Sequence, residues 1–191
     1  MNPAILGLAV VESLEVTNPV VAALLIAMQA PLILWTTANV QANPLMNIPL
    51  IAAGPAVVGQ GGFTVGSPDA LTGIVSAALG MVDPAGMSKM GIITKHYAAT
   101  ITQFGQIDAT GLVAFAGPAP PPIGPVAGTA KMKLAKPFTF WKALALTDAG
   151  SIEKWTKYGD ALKTHLETFA LITPAMTNAI GAPLTGTGTV S

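Results

Sequence analysis

One pattern written three times constrains this chain more than anything else in it. Asn2-Pro3, Ser67-Pro68 and Lys136-Pro137 each open an apolar segment about four helical turns long. Proline fits there because the first turn of a helix has no amide bond to lose. The segments close at Asn18-Pro19, at Asp83-Pro84 and, in degenerate form, at Ser151-Ile152. Asn, Asp and Ser are good N-caps for a second helix. Each second helix leads through a more β-like stretch into a glycine string: GPAVVGQGGFTV at 54–65, GPVAGTAKMKL at 124–134 and GAPLTGTGTVS at 181–191. The spacing is regular. Pro3 to Pro68 and Pro19 to Pro84 are both intervals of 65, Pro68 to Pro137 and Gly59 to Gly128 are both intervals of 69, and Gly128 to Gly186 is an interval of 58. Leu6, Leu71 and Phe140 stand at the third position after the proline, and Val10, Val75 and Leu144 at the seventh, which places both sets on one helical face.

The expected fold class is therefore α+β, with three tandem pseudo-equivalent units at 1–66, 67–135 and 136–191 forming one compact domain. Each unit reads as two helices followed by a turn and one or two short strands. A period of this length exceeds the roughly 20–50 residues of most solenoid repeats, which favours closure with pseudo-threefold symmetry over stacking. The match of LIAAGP at 50–55 to VAFAGP at 113–118 supports the register.

The second helices differ in their surfaces. Ile152, Trp155, Leu162, Leu166 and Phe169 form an apolar stripe in the third, with Glu153 one helical turn before Lys157 on the other face. Met90, Ile93, Tyr97 and Ile101 do the same in the second. From Val20 to Leu34 the first is apolar nearly all round, so burial on every side is expected, at the centre of the fold or against a partner chain. Val20, Leu24, Leu25, Met28, Leu32 and Trp35 are the interface candidates. The run Pro19 to Trp35 is at the lower limit for a bilayer span, and the absence of Lys or Arg before Lys89 leaves nothing to orient it.

Charge excludes further functions. Only 9% of residues are charged, against roughly 25% in ordinary domains, so much of the surface should meet something other than water. All nine basic residues are lysines and the net charge is zero, so the arginine forks and basic footprint of a nucleic-acid binder are missing. With no cysteine there is no disulfide, thiolate ligand or thiol nucleophile. The N-terminal apolar run lacks a basic leader and meets Glu12 and Glu15 early, so no signal peptide is expected.

The glycine strings do not read as phosphate loops. A dinucleotide-binding motif opens a helix, whereas Gly59-Gln60-Gly61-Gly62 is followed by the strand formers Phe63, Thr64 and Val65. Gly59, Gly128 and Gly186 read instead as structural glycines of a turn followed by a strand. His96 and His165, on the second helices, match no metal-binding spacing and read as partly exposed helical histidines. Glu12 and Glu15 make a solvated patch, no serine sits in a nucleophile elbow, and Trp35, Trp141 and Trp155 read as core. No catalytic, cofactor-binding or metal residue is expected, and neither is a cofactor or an enzyme activity.

The C-terminal GAPLTGTGTVS, following a helix with KTHLETFALIT, resembles the end of small virion structural proteins of tailed bacteriophages, in which an apolar helix leads into a GxGxG-type strand. The resemblance covers the final fifth of the chain. It implies a non-enzymatic component of a tail, baseplate, neck or capsid, located in the virion, with other structural proteins of the assembly as partners and no nucleic acid. A pseudo-threefold chain would suit a symmetry axis, for example at a trimeric spike. The competing expectation is a membrane-active, holin-like or membrane-penetrating protein that uses the apolar hairpin 3–35.

Overall fold

A computed structural model describes residues 1–46, 54–55, 60–108, 110, 112–114, 123–175, 177–179, 184–185 and 187–191 of the chain. Its elements run α1 (Pro3–Ser13), α2 (Pro19–Asn39), β1 (Val40–Met46), β2 (Gly54–Pro55), β3 (Gln60–Val65), α3 (Pro68–Ala78), α4 (Pro84–Phe104), β4 (Gly105–Asp108), β5 (Leu112–Ala114), β6 (Ile123–Gly128), β7 (Ala130–Leu134), α5 (Phe140–Ala143), α6 (Ala149–Phe169), β8 (Leu171–Ala175), β9 (Thr177–Ala179), β10 (Leu184–Thr185) and β11 (Thr187–Val190). The protein is thus mixed helix and antiparallel sheet.

Side-chain caps start most of the helices. Asn2 accepts the Ala4 amide at 2.9 Å, Asn18 accepts those of Val20 and Val21 at 2.9 and 3.3 Å, and Asp83 accepts that of Gly86 at 2.8 Å. These bonds satisfy amides that a helix start leaves without partners. At α6 the cap is Asp148, which accepts the Ser151 amide at 2.7 Å. Ser151, expected as the cap, is instead the donor inside the first turn.

The long helices α2, α4 and α6 have 21 residues each and begin at 19, 84 and 149, two intervals of 65. The shorter helices α1, α3 and α5 end at 13, 78 and 143, again at intervals of 65. Each of the three is closed by the same device. Glu15, Gly80 and Ala145 adopt left-handed φ of 54°, 61° and 52°, and the amides of Val16, Met81 and Leu146 donate back to Val11, Ser76 and Trp141 at 2.9–3.1 Å. This is the Schellman arrangement, which serves orphan carbonyls at a helix end.

The third short helix corrects the expected register. At the interval of 65, Phe140 matches Val75 and not Leu6 and Leu71, and Leu144 aligns with the caps Leu14 and Leu79. Only one helical turn survives there, in place of the longer apolar helix expected after Pro137. Aromatic rings fill the space instead: Phe138 stacks on Tyr97 at 5.2 Å and on Phe140 at 5.5 Å between centroids. Gly159 in α6 lets that backbone in, because a Cβ there would stand 2.3 Å from the Phe138 carbonyl oxygen.

Three antiparallel hairpins make the sheet. β1 pairs with β3 from Val40↔Val65 to Leu45↔Gln60, β4 with β7 from Gly105↔Leu134 to Asp108↔Lys131, and β8 with β11 from Ala175↔Thr187 to Ile172↔Val190. β7 joins β8 through Ala130↔Ile172, and β11 joins β1 through Ala42↔Gly188, with β10 continuing the same register at Leu45↔Thr185. β3 lies beside β4, where the Phe63 ring covers Gly105 so closely that a Cβ would be 2.5 Å from Cδ2. The six strands β1, β3, β4, β7, β8 and β11 therefore nearly close on themselves. A second small sheet runs β2-β5-β6-β9.

Helix contacts follow the same cyclic order. α1 packs on α2 and α6, α3 on α4 and α2, and α5 on α6 and α4; α2, α4 and α6 rest on β11, β3 and β7. Between helices and sheet lies one core, with Leu32, Tyr97 and Leu162 at one level, Thr36, Ile101 and Leu166 at the next, and Ala42, Ile107 and Ile172 on the strands below.

Candidate functional site

Several polar groups inside the core are tied into structural bonds, while Trp35 Nε1, Ser76 Oγ and His165 Nε2 are buried without a partner among the described residues. The Thr36 hydroxyl donates to the Leu32 carbonyl at 2.8 Å and stands 2.7 Å from the Tyr97 hydroxyl, which is then the donor of that second bond. Gln29 donates to the Leu25 carbonyl at 2.9 Å and accepts from the Tyr158 hydroxyl at 3.4 Å. Burial pushes the Tyr158 phenol up to about 12 and the Tyr97 phenol well above its ordinary value. Both tyrosines are therefore neutral hydrogen-bonding groups at any physiological pH.

The two histidines also serve structure. His96 is half-buried, and its Nε2 accepts the Thr139 amide at 3.1 Å. His165 was expected to be partly exposed and is instead buried at 3% exposure, its ring 4.9 Å from that of Phe169 and its Nε2 without a partner among the described residues. Its helical phase, one position before Leu166 on the inner face of α6, accounts for this. Burial lowers the pKa of both, so both are held neutral. They are out of step with one another on the interval of 65, His96 corresponding to Ala161 and His165 to Thr100.

Four carboxylates engage lysines, those of Glu15, Asp69, Glu153 and Glu167. Lys157 meets Glu153 at 3.0 Å and Glu15 at 3.6 Å, tying α6 to the end of α1, and Lys95 meets Asp69 at 3.3 Å. Such exposed pairs contribute little. Glu167 is more enclosed: burial pushes its carboxyl up, but the Lys163 ammonium at 2.7 Å and the Leu134 amide at 2.8 Å outweigh this and hold it below its ordinary value. That carboxylate fastens α6 to β7. Among the described residues no three His, Asp or Glu side chains come together as a metal-binding group.

Of the structural glycines, Gly128 takes a φ of 99° at the end of β6, just before β7, a conformation that favours glycine. Gly59 and Gly186 lie outside the described residues. Trp35 is buried against Tyr97, Trp155 packs between Phe140 and Tyr158, and Trp141 is half-buried beside Lys142.

The interface candidates divide by helical phase. Leu32 and Trp35, at 7% and 3% exposure, belong to the chain's own core. Leu25 and Met28 are half-buried and line a pocket of about 130 Å³ with Leu14, Lys154, Trp155 and Tyr158. Val20 and Leu24 face outward at 67% and 52% exposure. The helix expected to be buried on every side thus enters the core with one face only, Gln29, Leu32, Ile33, Trp35 and Thr36. Its outer face continues to Leu34, and Ile5 and Leu8 of α1 are exposed as well. The spacing 20, 24, 27, 31, 34 carries this division, but a helix with scarcely a polar residue hides it. Among the described residues the most distinctive surface is therefore an uncharged apolar face on the α1–α2 hairpin. No family model matches the chain, and neither does any curated protein or solved structure.

Proposed function

We propose that this chain is a non-enzymatic structural subunit of a large assembly, built from three equivalent units at 1–66, 67–135 and 136–191 that close about a pseudo-threefold axis. The equivalence draws support from the constant interval of 65 between caps, helix ends and left-handed closing residues. The observation that carries the function is the amount of large apolar side chain on the helical hairpins: Val20, Leu24 and Leu34 of α2, Leu8 of α1, and Val82, at 90% exposure, before α4. So many exposed large apolar side chains signal contact with another body. On the resemblance of its C-terminal segment, that body is the remainder of a tailed-bacteriophage virion, and the partners are its other structural proteins.

The membrane reading rests on a different observation: α2, with 21 residues and a mean hydropathy of 1.9 over an 18-residue stretch of it, is long and apolar enough to cross a bilayer. Crossing would withdraw Gln29, Leu32 and Thr36 from the core. Light scattering and liposome flotation on one detergent-free sample separate the two readings. A discrete soluble particle that stays out of the lipid fraction, with peptides of the chain recovered from density-purified phage particles, supports the assembly subunit. Flotation with the liposomes, or no soluble form without detergent, overturns it in favour of a membrane protein.

A further inference from the structure

The outward face of α2 differs from the faces of α4 and α6 that occupy the same place. Ala23, Leu24, Ala27, Ala30 and Leu34 of α2 correspond at intervals of 65 to Ser88, Lys89, Ile92, Lys95 and Ala99 of α4, and to Glu153, Lys154, Lys157, Asp160 and Thr164 of α6. The same backbone in the same surroundings accepts lysine and glutamate at these positions, so folding does not require Leu24 or Leu34 to be apolar. Both are nevertheless more than half exposed.

We propose that this face is an isologous contact, in which α2 packs antiparallel against α2 of a second copy of the chain. The inference rests on the equivalence of the three units proposed above. Two observations favour a second copy. The stripe is nearly the same read in either direction: Leu24 and Leu34 lie at equal distances to either side of position 29, and so do Val20 and Ala38. An antiparallel twofold at that level sets each leucine against the other leucine of its partner, as a self-complementary contact requires. Charge agrees. The hairpin carries only Glu12 and Glu15, both at one end, and the antiparallel arrangement puts the two acidic ends far apart. It also offers no lysine or arginine to lipid headgroups, which membrane-surface helices normally do. The contact is a small one: the 21 residues of α2, about 10 Å across at about 1.5 Å per residue, present about 300 Å² per copy, about 600 Å² for the pair, which is the size of a weak, reversible interface.

The test writes α6 into α2. The double variant Leu24→Lys/Leu34→Thr installs the residues found at 154 and 164, both exposed in α6. Sedimentation equilibrium without detergent should give the wild type a mass twice the 19.3 kDa of one chain. At concentrations low enough to keep both monomeric the variant should melt at the wild-type temperature, and its dimer dissociation constant should be raised about 100-fold, as loss of two central leucines implies. A monomeric wild type, or a variant that dimerises as well as the wild type, overturns the contact. Unfolding of the variant would instead overturn the equivalence of the units. For that outcome a second measurement reads the contact alone. The chain has no cysteine, so Ala27→Cys introduces a single thiol near the proposed twofold. A short bismaleimide should link it into dimers and should not link Thr164→Cys on α6; failure to link Ala27→Cys, or equal linking of both, overturns the proposal.

Discussion

Two glycines at matching places make opposite predictions. At the crossing of α1 and α2, Gly7 faces Ile26, and a Cβ on Gly7 would stand 2.7 Å from the Ile26 Cα. At the same interval along the chain, where α3 crosses α4, the small residue has changed helix: Thr72 stands in place of Gly7, and Gly91 in place of Ile26. A Cβ on Gly91 would lie 3.8 Å from the Thr72 Cγ2, an ordinary contact. Both glycines are inside helices, so either change to alanine gains about 0.5–1 kcal/mol from backbone entropy and helix propensity. Gly91→Ala should keep that gain and raise the melting temperature by about 1–4 °C. Gly7→Ala must force two backbones apart, an overpacking cost of about 2–3 kcal/mol where the obstacle is main chain. The net loss is about 1–2.5 kcal/mol, a fall of about 2–10 °C. Thermal and urea unfolding followed by far-ultraviolet circular dichroism would measure both. Because the gain is common to the two sites, their difference isolates the packing. A Gly7→Ala protein as stabilised as Gly91→Ala would refute the close crossing of α1 and α2.

Tyr97 and Tyr158 are the chain's only tyrosines, and burial raises both phenols. The tyrosinate absorbance should therefore stay flat through pH 10 and rise only near 12 or on unfolding; the fold keeps this stability below pH 10 and loses it as pH climbs toward the folded values. For the histidines the sign is reversed. Burial depresses the folded pKa of His96 and His165 below 6.5, so stability is full above pH 6.5 and falls as the pH drops below it. Urea midpoints measured about one pH unit above and below that value would show the decline, and His165→Leu should lessen it; an unchanged decline in that variant would count against its burial as the cause. Asn18→Ala removes a cap with two amide bonds and should cost about 1 kcal/mol, whereas Ser67→Ala, at a position with no side-chain cap bond, should change the urea midpoint little.

The recurring period is legible in the sequence because helix starts have a chemical signature. Asn18-Pro19 and Asp83-Pro84 announce amides that need acceptors, and the helices begin there. Helix ends carry less. The left-handed residue after each short helix is Glu15, Gly80 and Ala145 in turn, and two of these have no glycine to mark the turn. Lys136-Pro137 therefore competes as a helix start and shifts the third register by about one helical turn. What replaces the missing turns, the stack of Phe138 and Phe140 with Tyr97, depends on α4 and α5 being neighbours, a tertiary fact with no local signature. Burial around α2 is illegible for a related reason: when nearly every side chain is apolar, composition cannot distinguish the inner face from the outer one.

The division of labour between inner and outer positions follows from these comparisons. Inside, matching positions differ in chemistry but are buried alike: Leu32, Tyr97 and Leu162 at one level, and Trp35, Thr100 and His165 at another. The core keeps its volume by local exchange, as with Gly159 and Phe138, so variation there reports packing. Outside, no packing constraint acts, and the faces of the three long helices run from wholly apolar in α2 through mixed in α4 to charged in α6. These outer differences leave the shared core untouched, and on the proposal made above α2 meets a second copy of the chain where α6 meets water. Substitutions that move residues between matching outer positions should therefore change association while leaving folding intact, and the reverse should hold for matching inner positions.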